Sequence, residues 1–351
     1  MTSVPSTSPE RAASAPLFRT RITELFGIDH PILCGGLMWL SDARYVAASV
    51  NAGGMGFITA RTFAEPERFR DALALCAELT GGRPFGVNIY MSQRAEENEM
   101  FKTHIPLALE AGVRLFETSG VPPKAILPPL KEAGATIMHK VASVRHAVSA
   151  AKLGVDAVAV VGGECGGHPG MHMVGTIVQT VRAAQAVDLP VVVGGGIGHG
   201  AQVAACLAMG ADAVMLGTAM LVADEIAAHA AYKDQVVHAD ETSSRLVMQT
   251  FRNTYRVMDN RAAQAVAELE AAGETDFDAY RPYAMGTHAR TAYTSGDWNQ
   301  GLLSMGQSAV FAKRTEPVAA IYARMIEEAR IATARLADMG GAGGVTDGSA
   351  G

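Results

Sequence analysis

The repeated step from a helical stretch through glycine into a short apolar run is the feature that most limits how this chain can fold. It occurs at Asn51-Ala52-Gly53-Gly54 before Met55 to Ala60, at Glu110-Ala111-Gly112 before Val113 to Thr118, at Lys152-Leu153-Gly154 before Val155 to Val161, and at Ala208-Met209-Gly210 before Ala211 to Leu216. Glycine tolerates the left-handed backbone on which a helix ends before the chain turns back. Helix and strand therefore alternate. Further apolar runs at Pro31 to Cys34, Phe85 to Tyr90, Thr136 to Val141 and Val191 to Val193 bring the total to about eight strands, most of them separated by a helical length of sequence.

About eight such units in roughly 200 residues is the number that closes an α/β (β/α)8 TIM barrel. The rival is a doubly wound open sheet, but no GxGxxG follows the first strand. Gly194-Gly195-Gly196-Ile197-Gly198 follows the seventh instead, where barrels commonly bind phosphate. The expected layout is an N-terminal tail over 1–18 without order, a barrel over 19–223, a helix-and-loop subdomain over 224–310 covering the barrel mouth, a helix over 311–339 packed on the barrel, and a disordered tail over 340–351.

A 351-residue chain with 49% hydrophobic residues can bury a large core. Its net charge of −6, with both signs interspersed, offers no surface for a polyanion and excludes nucleic acid as a partner. Cys34, Cys76, Cys165 and Cys206 are too scattered for a zinc ribbon or a CxxC pair and read as free thiols of a reducing compartment. No apolar run approaches the roughly 20 residues that span a bilayer, and the Ser/Pro/Ala-rich start carries no signal core. The expectation is a cytoplasmic protein, with an oligomer left open.

The apolar run Asp156 to Val161 leads into Gly162-Gly163-Glu164-Cys165-Gly166-Gly167-His168-Pro169-Gly170, which places one imidazole in a loop nearly bare of side chains at a strand's carboxyl end. His168 is the candidate proton acceptor; a purely structural loop histidine is the plainer reading. Glu164, His168 and His172 are spaced by four, but Pro169 and Gly170 break any helix there, so no metal is expected. Gly194-Gly195-Gly196 and Gly217-Thr218 end the two last strands; their backbone N–H groups suit a phosphate, or they are merely tight turns. Asn88, inside an apolar strand, needs partners that a planar heterocycle or the neighbouring backbone could supply. Lys140, at another strand end, implies a negative partner: a reduced flavin, a phosphate, or a carboxylate such as Glu164. His199 reads as a helix cap.

Gly163 to Gly170, Gly194 to Gly200, Gly210 to Thr218, Gly86-Val87-Asn88 and Gly296 to Gln307 together resemble the nitronate monooxygenase (2-nitropropane dioxygenase-like) family of FMN-binding TIM barrels, over about Leu25 to Ala329. The resemblance implies non-covalent FMN with its phosphate at Gly195, Gly196, Gly217 and Thr218. It implies Asn88, Lys140 and Gly167 at the cofactor, Glu164 flanking it, Gln307 close to the ring and His168 as catalytic base. The activity implied is oxidation of alkyl nitronates or nitroalkanes by O2 to a carbonyl compound and nitrite. The same motifs resemble NAD(P)H-dependent enoyl-acyl-carrier-protein and quinone reductases on this barrel, and a non-catalytic flavin-storage barrel is the reading from another class. Cys165 in place of a small residue, Met171-His172-Met173 and Trp39 depart from the simplest family pattern and bear on substrate rather than cofactor. The Met-rich stretches Leu37 to Leu40 and Met171 to Val174 are read either as core or as the lining of an apolar tunnel.

Overall fold

A computed structural model describes residues 16–340. Eight parallel strands close in chain order: β1 (Ile32–Cys34), β2 (Met55–Thr59), β3 (Gly86–Met91), β4 (Leu115–Gly120), β5 (Thr136–Val141), β6 (Ala157–Val161), β7 (Val191–Gly194) and β8 (Ala213–Leu216). β8 returns beside β1 with Met215 opposite Leu33, so the sheet has no open edge. This is the (β/α)8 TIM barrel expected from the alternation. The glycine steps behave as the sequence implies: Gly154, at φ 87°, ends the helix Val144–Leu153, and Gly53, Gly112 and Gly210 also take positive φ.

Side chains alternate across each strand and thereby divide the core in two. Val87, Ile89, Phe116, Ile137, Val158, Val160, Val193 and Val214 belong to a large cluster that includes the surrounding helices. Leu33, Phe57, Leu115, Met138, Ala159, Val192 and Met215 form a second cluster, which fills the barrel. Ile22 and Phe26, from the helix Arg21–Phe26, belong to that inner cluster, and Phe26 meets Phe57 edge to face at 6.3 Å. The interior is packed rather than open, so chemistry is confined to the strand ends.

Leu17 and Phe18, read from the sequence as part of a tail, are partly buried against the outer core. The rest of both expected tails, 1–15 and 341–351, lies outside the described residues. Beyond the barrel, helices Ala230–His238, Arg261–Ala271, Phe277–Ala284 and Gly286–Ser295 are joined by a feature not expected there, an antiparallel pair of β9 (Ser244–Val247) with β10 (Tyr255–Met258). Each is four residues long, too short for a period-two pattern to stand out. A separate core of Val247, Val257, Ala263, Val266, Tyr280 and Leu302 holds this segment together. The final helix, Val318–Met339, packs on the helices Gly200–Ala208 and Ala43–Asn51; a Cβ on Gly200 would fall on the Met325 carbonyl. Among the described residues no helix is long and apolar enough to cross a membrane.

Candidate active site

Leu115 and Met138 point into the barrel, so Glu117 and Lys140, each two residues further along its strand, point inward one layer nearer the carboxyl end. Asn88 stands directly opposite Glu117 on β3. These side chains form one network. The fully buried Glu117 carboxylate accepts from the Gly36 amide at 2.8 Å and from Asn88 Nδ2 at 3.0 Å, and its other oxygen is 2.5 Å from Lys140 Nζ. The carboxylate left open for Lys140 by the sequence is thus Glu117, not Glu164. Because a carboxylate only accepts, the Asn88 amide must turn its NH2 to Glu117, leaving Oδ1 as its free acceptor. Gly36 permits this closeness, since a Cβ there would lie 2.4 Å from Asn88 Cγ.

Glu164 has a different task. Its carboxylate accepts from the Thr176 amide at 2.9 Å and hydroxyl at 2.9 Å, capping the helix Thr176–Ala186. Thr176 Oγ1 in turn lies 2.8 Å from the Gly195 carbonyl, and a Cβ on Gly196 would meet Glu164 Cβ at 2.9 Å. Glu164, Thr176, Gly195 and Gly196 are therefore one rigid cluster. Gly196, at φ 70°, has neither the backbone nor the space for a side chain.

Four residues beyond Glu164, His168 stacks face to face on Tyr255, with ring centroids 4.5 Å apart and planes 8° from parallel. The surrounding protein pulls its pKa down to about 4 through burial. Its other side is exposed, and solvent there offsets part of that effect. Neither ring nitrogen has a hydrogen-bond partner among the described residues. The loop itself is fastened by β10: Gly167 and Arg256 exchange backbone hydrogen bonds of 3.0 and 2.7 Å, and the Arg256 guanidinium donates twice to the Gly163 carbonyl. Burial pushes the Cys165 thiol up to about 12, so it stays protonated.

At β8, Thr218 Oγ1 accepts from the Gly306 amide at 2.8 Å, and the Gln307 amide donates to the Glu164 carbonyl at 3.0 Å. Residues 306–307 thus tie the β6 and β8 loops together. The amides of Gly196, Gly217 and Thr218 donate to no group among the described residues. A Cβ on Gly217 would meet nothing nearer than Leu37 Cδ2 at 3.9 Å. Unspent donors beside open space on adjacent strands, together with the Thr218 hydroxyl proton, fit the tail phosphate of a mononucleotide such as FMN without a basic side chain. His199 caps its helix, accepting from the Ala201 amide at 3.1 Å.

Glu117, Tyr255, Arg256 and Thr176 were not singled out from the sequence. Glu117 carried the signal that exposed Asn88 and Lys140, a polar residue inside an apolar strand. Tyr255 and Arg256 gave none, because they reach the loop from almost 90 positions away. Met171, a candidate for core or tunnel, is 53% exposed and is not part of the core. Trp39, at φ 71°, carries the Arg290 guanidinium 5.4 Å above its ring, joining the β1 loop to the helix Gly286–Ser295.

Comparison with known proteins agrees with the fold. The sequence profile described as nitronate monooxygenase matches residues 19–328. The chain is 37% identical over 207 residues to a 5-hydroxy-7a-methyl-1-oxo-octahydro-1H-indene-4-carboxyl-CoA dehydrogenase of Rhodococcus jostii, a match taking in 59% of this chain and only 56% of that protein. A probable nitronate monooxygenase of Staphylococcus aureus is 28% identical over 291 residues, covering 72% of this chain and 81% of its own. The structure of FabK from Thermotoga maritima superposes with a TM-score of 0.83 at 30% identity, over 91% of this chain and 98% of that one. The chain belongs to the nitronate monooxygenase family.

Proposed function

We propose that the protein binds FMN and oxidises alkyl nitronates, and the nitroalkanes that give rise to them, with O2 to a carbonyl compound and nitrite. The observation that carries this reading is an imidazole with no hydrogen-bond partner for either nitrogen among the described residues, at the same end of the barrel as a glycine-lined set of amides that donate to none of them. Gly195, Gly196, Gly217 and Thr218 would hold the phosphate, and Asn88, Lys140, Gly167 and Gln307 would line the rest of the cofactor site. Glu164 would support it from behind by fixing the β6 and β7 loops. FMN, when bound, would supply the electron-accepting chemistry. His168 would take the α-proton of a neutral nitroalkane, which a neutral imidazole can do and an imidazolium cannot. Tyr255 would hold the ring in one orientation while that proton moves. Segment 224–310 would serve as the cover that limits water.

A second reading is favoured by the name of one similar protein, the carboxyl-CoA dehydrogenase. A thioester, like a nitro group, acidifies the adjacent C–H, so the same base would serve an acyl substrate with NAD(P)H or another electron carrier. Anaerobic mixing separates the two. Bleaching of the flavin by a nitronate without nicotinamide supports the monooxygenase; rapid bleaching by NADH or NADPH alone, with none by nitronate, overturns it in favour of a reductase.

A further inference from the structure

Glu117 is the centre of the polar layer at the barrel mouth, and the roles proposed above leave it unused. It is completely buried, whereas the Lys140 side chain keeps 23% of its surface exposed. The ion pair is therefore lopsided, with its negative end sealed beneath the mouth and its positive end facing it. The same carboxylate decides which end of the Asn88 amide is offered outward, since Nδ2 is bound to Glu117 Oε2 and Oδ1 is not. Its third contact, the Gly36 amide, fixes the β1 loop to the same point.

We infer that Glu117 is a positioning residue for the flavin: it presents Asn88 as an acceptor and sets the strength of the positive charge that Lys140 shows to the ring. This rests on the FMN reading above. Neutralising Glu117 would leave the Lys140 charge uncompensated. A Gln side chain at 117 would keep its carbonyl oxygen where Oε2 accepts from the Gly36 and Asn88 amides, so its NH2 would fall opposite Lys140 Nζ and the ion pair would be lost while Asn88 kept its orientation. A group that only supports the barrel would not alter the charge at the ring, which here changes without any contact between Glu117 and the flavin.

The probe is sulfite, an anion whose addition to oxidised flavin is favoured by nearby positive charge, titrated by absorbance into the FMN-loaded protein. Glu117→Gln is expected to tighten the sulfite Kd by about tenfold and to alter the flavin spectrum. Lys140→Met should weaken sulfite binding, and the double variant Glu117→Gln/Lys140→Met, which has lost both charges, should return it close to the wild-type value. Glu117→Asp, which keeps the charge but shortens the reach, should fall between and serves if the Gln variant does not fold. Unchanged sulfite affinity in folded, flavin-loaded Glu117→Gln or Glu117→Asp overturns the role of Glu117 while leaving the flavin reading intact. Failure of the wild-type protein to bind FMN overturns both.

Discussion

Tyr255 covers one face of His168 at 4.5 Å, in a nearly parallel stack, and is itself fixed through its hydroxyl, 2.8 Å from Ser304 Oγ. A residue of β10 thus stacks on the candidate base His168, and Arg256 beside it holds the loop on which that histidine stands.

Removing the stack should therefore cost turnover rather than cofactor. Tyr255→Phe keeps the ring and should retain activity on neutral nitroalkanes within about threefold. Tyr255→Ala should lose about ten- to a hundredfold in kcat, by freeing the imidazole to turn. Steady-state rates at equal flavin occupancy check this; equal losses for Phe and Ala would assign the effect to the hydroxyl instead.

The protein around His168 pulls its pKa below the ordinary 6.5, because burial of one side of the ring disfavours the imidazolium. The base form therefore survives into acid. With a neutral nitroalkane, kcat/KM should fall only below pH 6.5, and His168→Gln should abolish turnover while keeping FMN. A limb centred at or above 6.5, or retained activity in the variant, contradicts the assignment.

The phosphate cradle predicts a contrast between two glycines. Gly217→Val meets open space at φ −130°, so the fold should be unaffected, with Tm moving by less than about 2 °C, while FMN affinity drops by at least about tenfold. Gly196→Val meets Glu164 at positive φ and should lose about 2 kcal/mol of stability as well as flavin. Flavin fluorescence and thermal melts read both. Normal FMN binding by Gly217→Val would refute the cradle.

His139 reports on stability alone. It is buried on the outer side of β5, with Nδ1 2.8 Å from Thr118 Oγ1, and burial pulls its pKa down to about 4. The unfolded chain takes up a proton below pH 6.5 that the folded protein refuses until about 4. The stabilisation, on the order of 3 kcal/mol, is complete above pH 6.5 and is lost as pH falls toward 4. Urea unfolding at pH 7 and pH 4.5 should show a smaller acid loss for His139→Asn than for wild type; an equal loss would mean that other groups dominate.

The barrel was legible in the chain because its causes are local. Glycine steps such as Lys152-Leu153-Gly154 and buried runs such as Val191 to Val193 act within a few residues, and repeating them about eight times closes the sheet. His168 and the glycine loops were legible for the same reason, as departures from local expectation at strand ends. Tertiary structure alone decided who meets whom. Lys140 pairs with Glu117 rather than Glu164 because inward-facing positions on β4 and β5 are neighbours, while Glu164 lies beyond β6 and turns to the end of a helix. Tyr255 reaches His168 because a four-residue strand, too short to announce itself, carries it across the barrel mouth. Local propensity sets the elements; register and loop docking, which depend on residues far apart in the chain, choose the partners of each polar group.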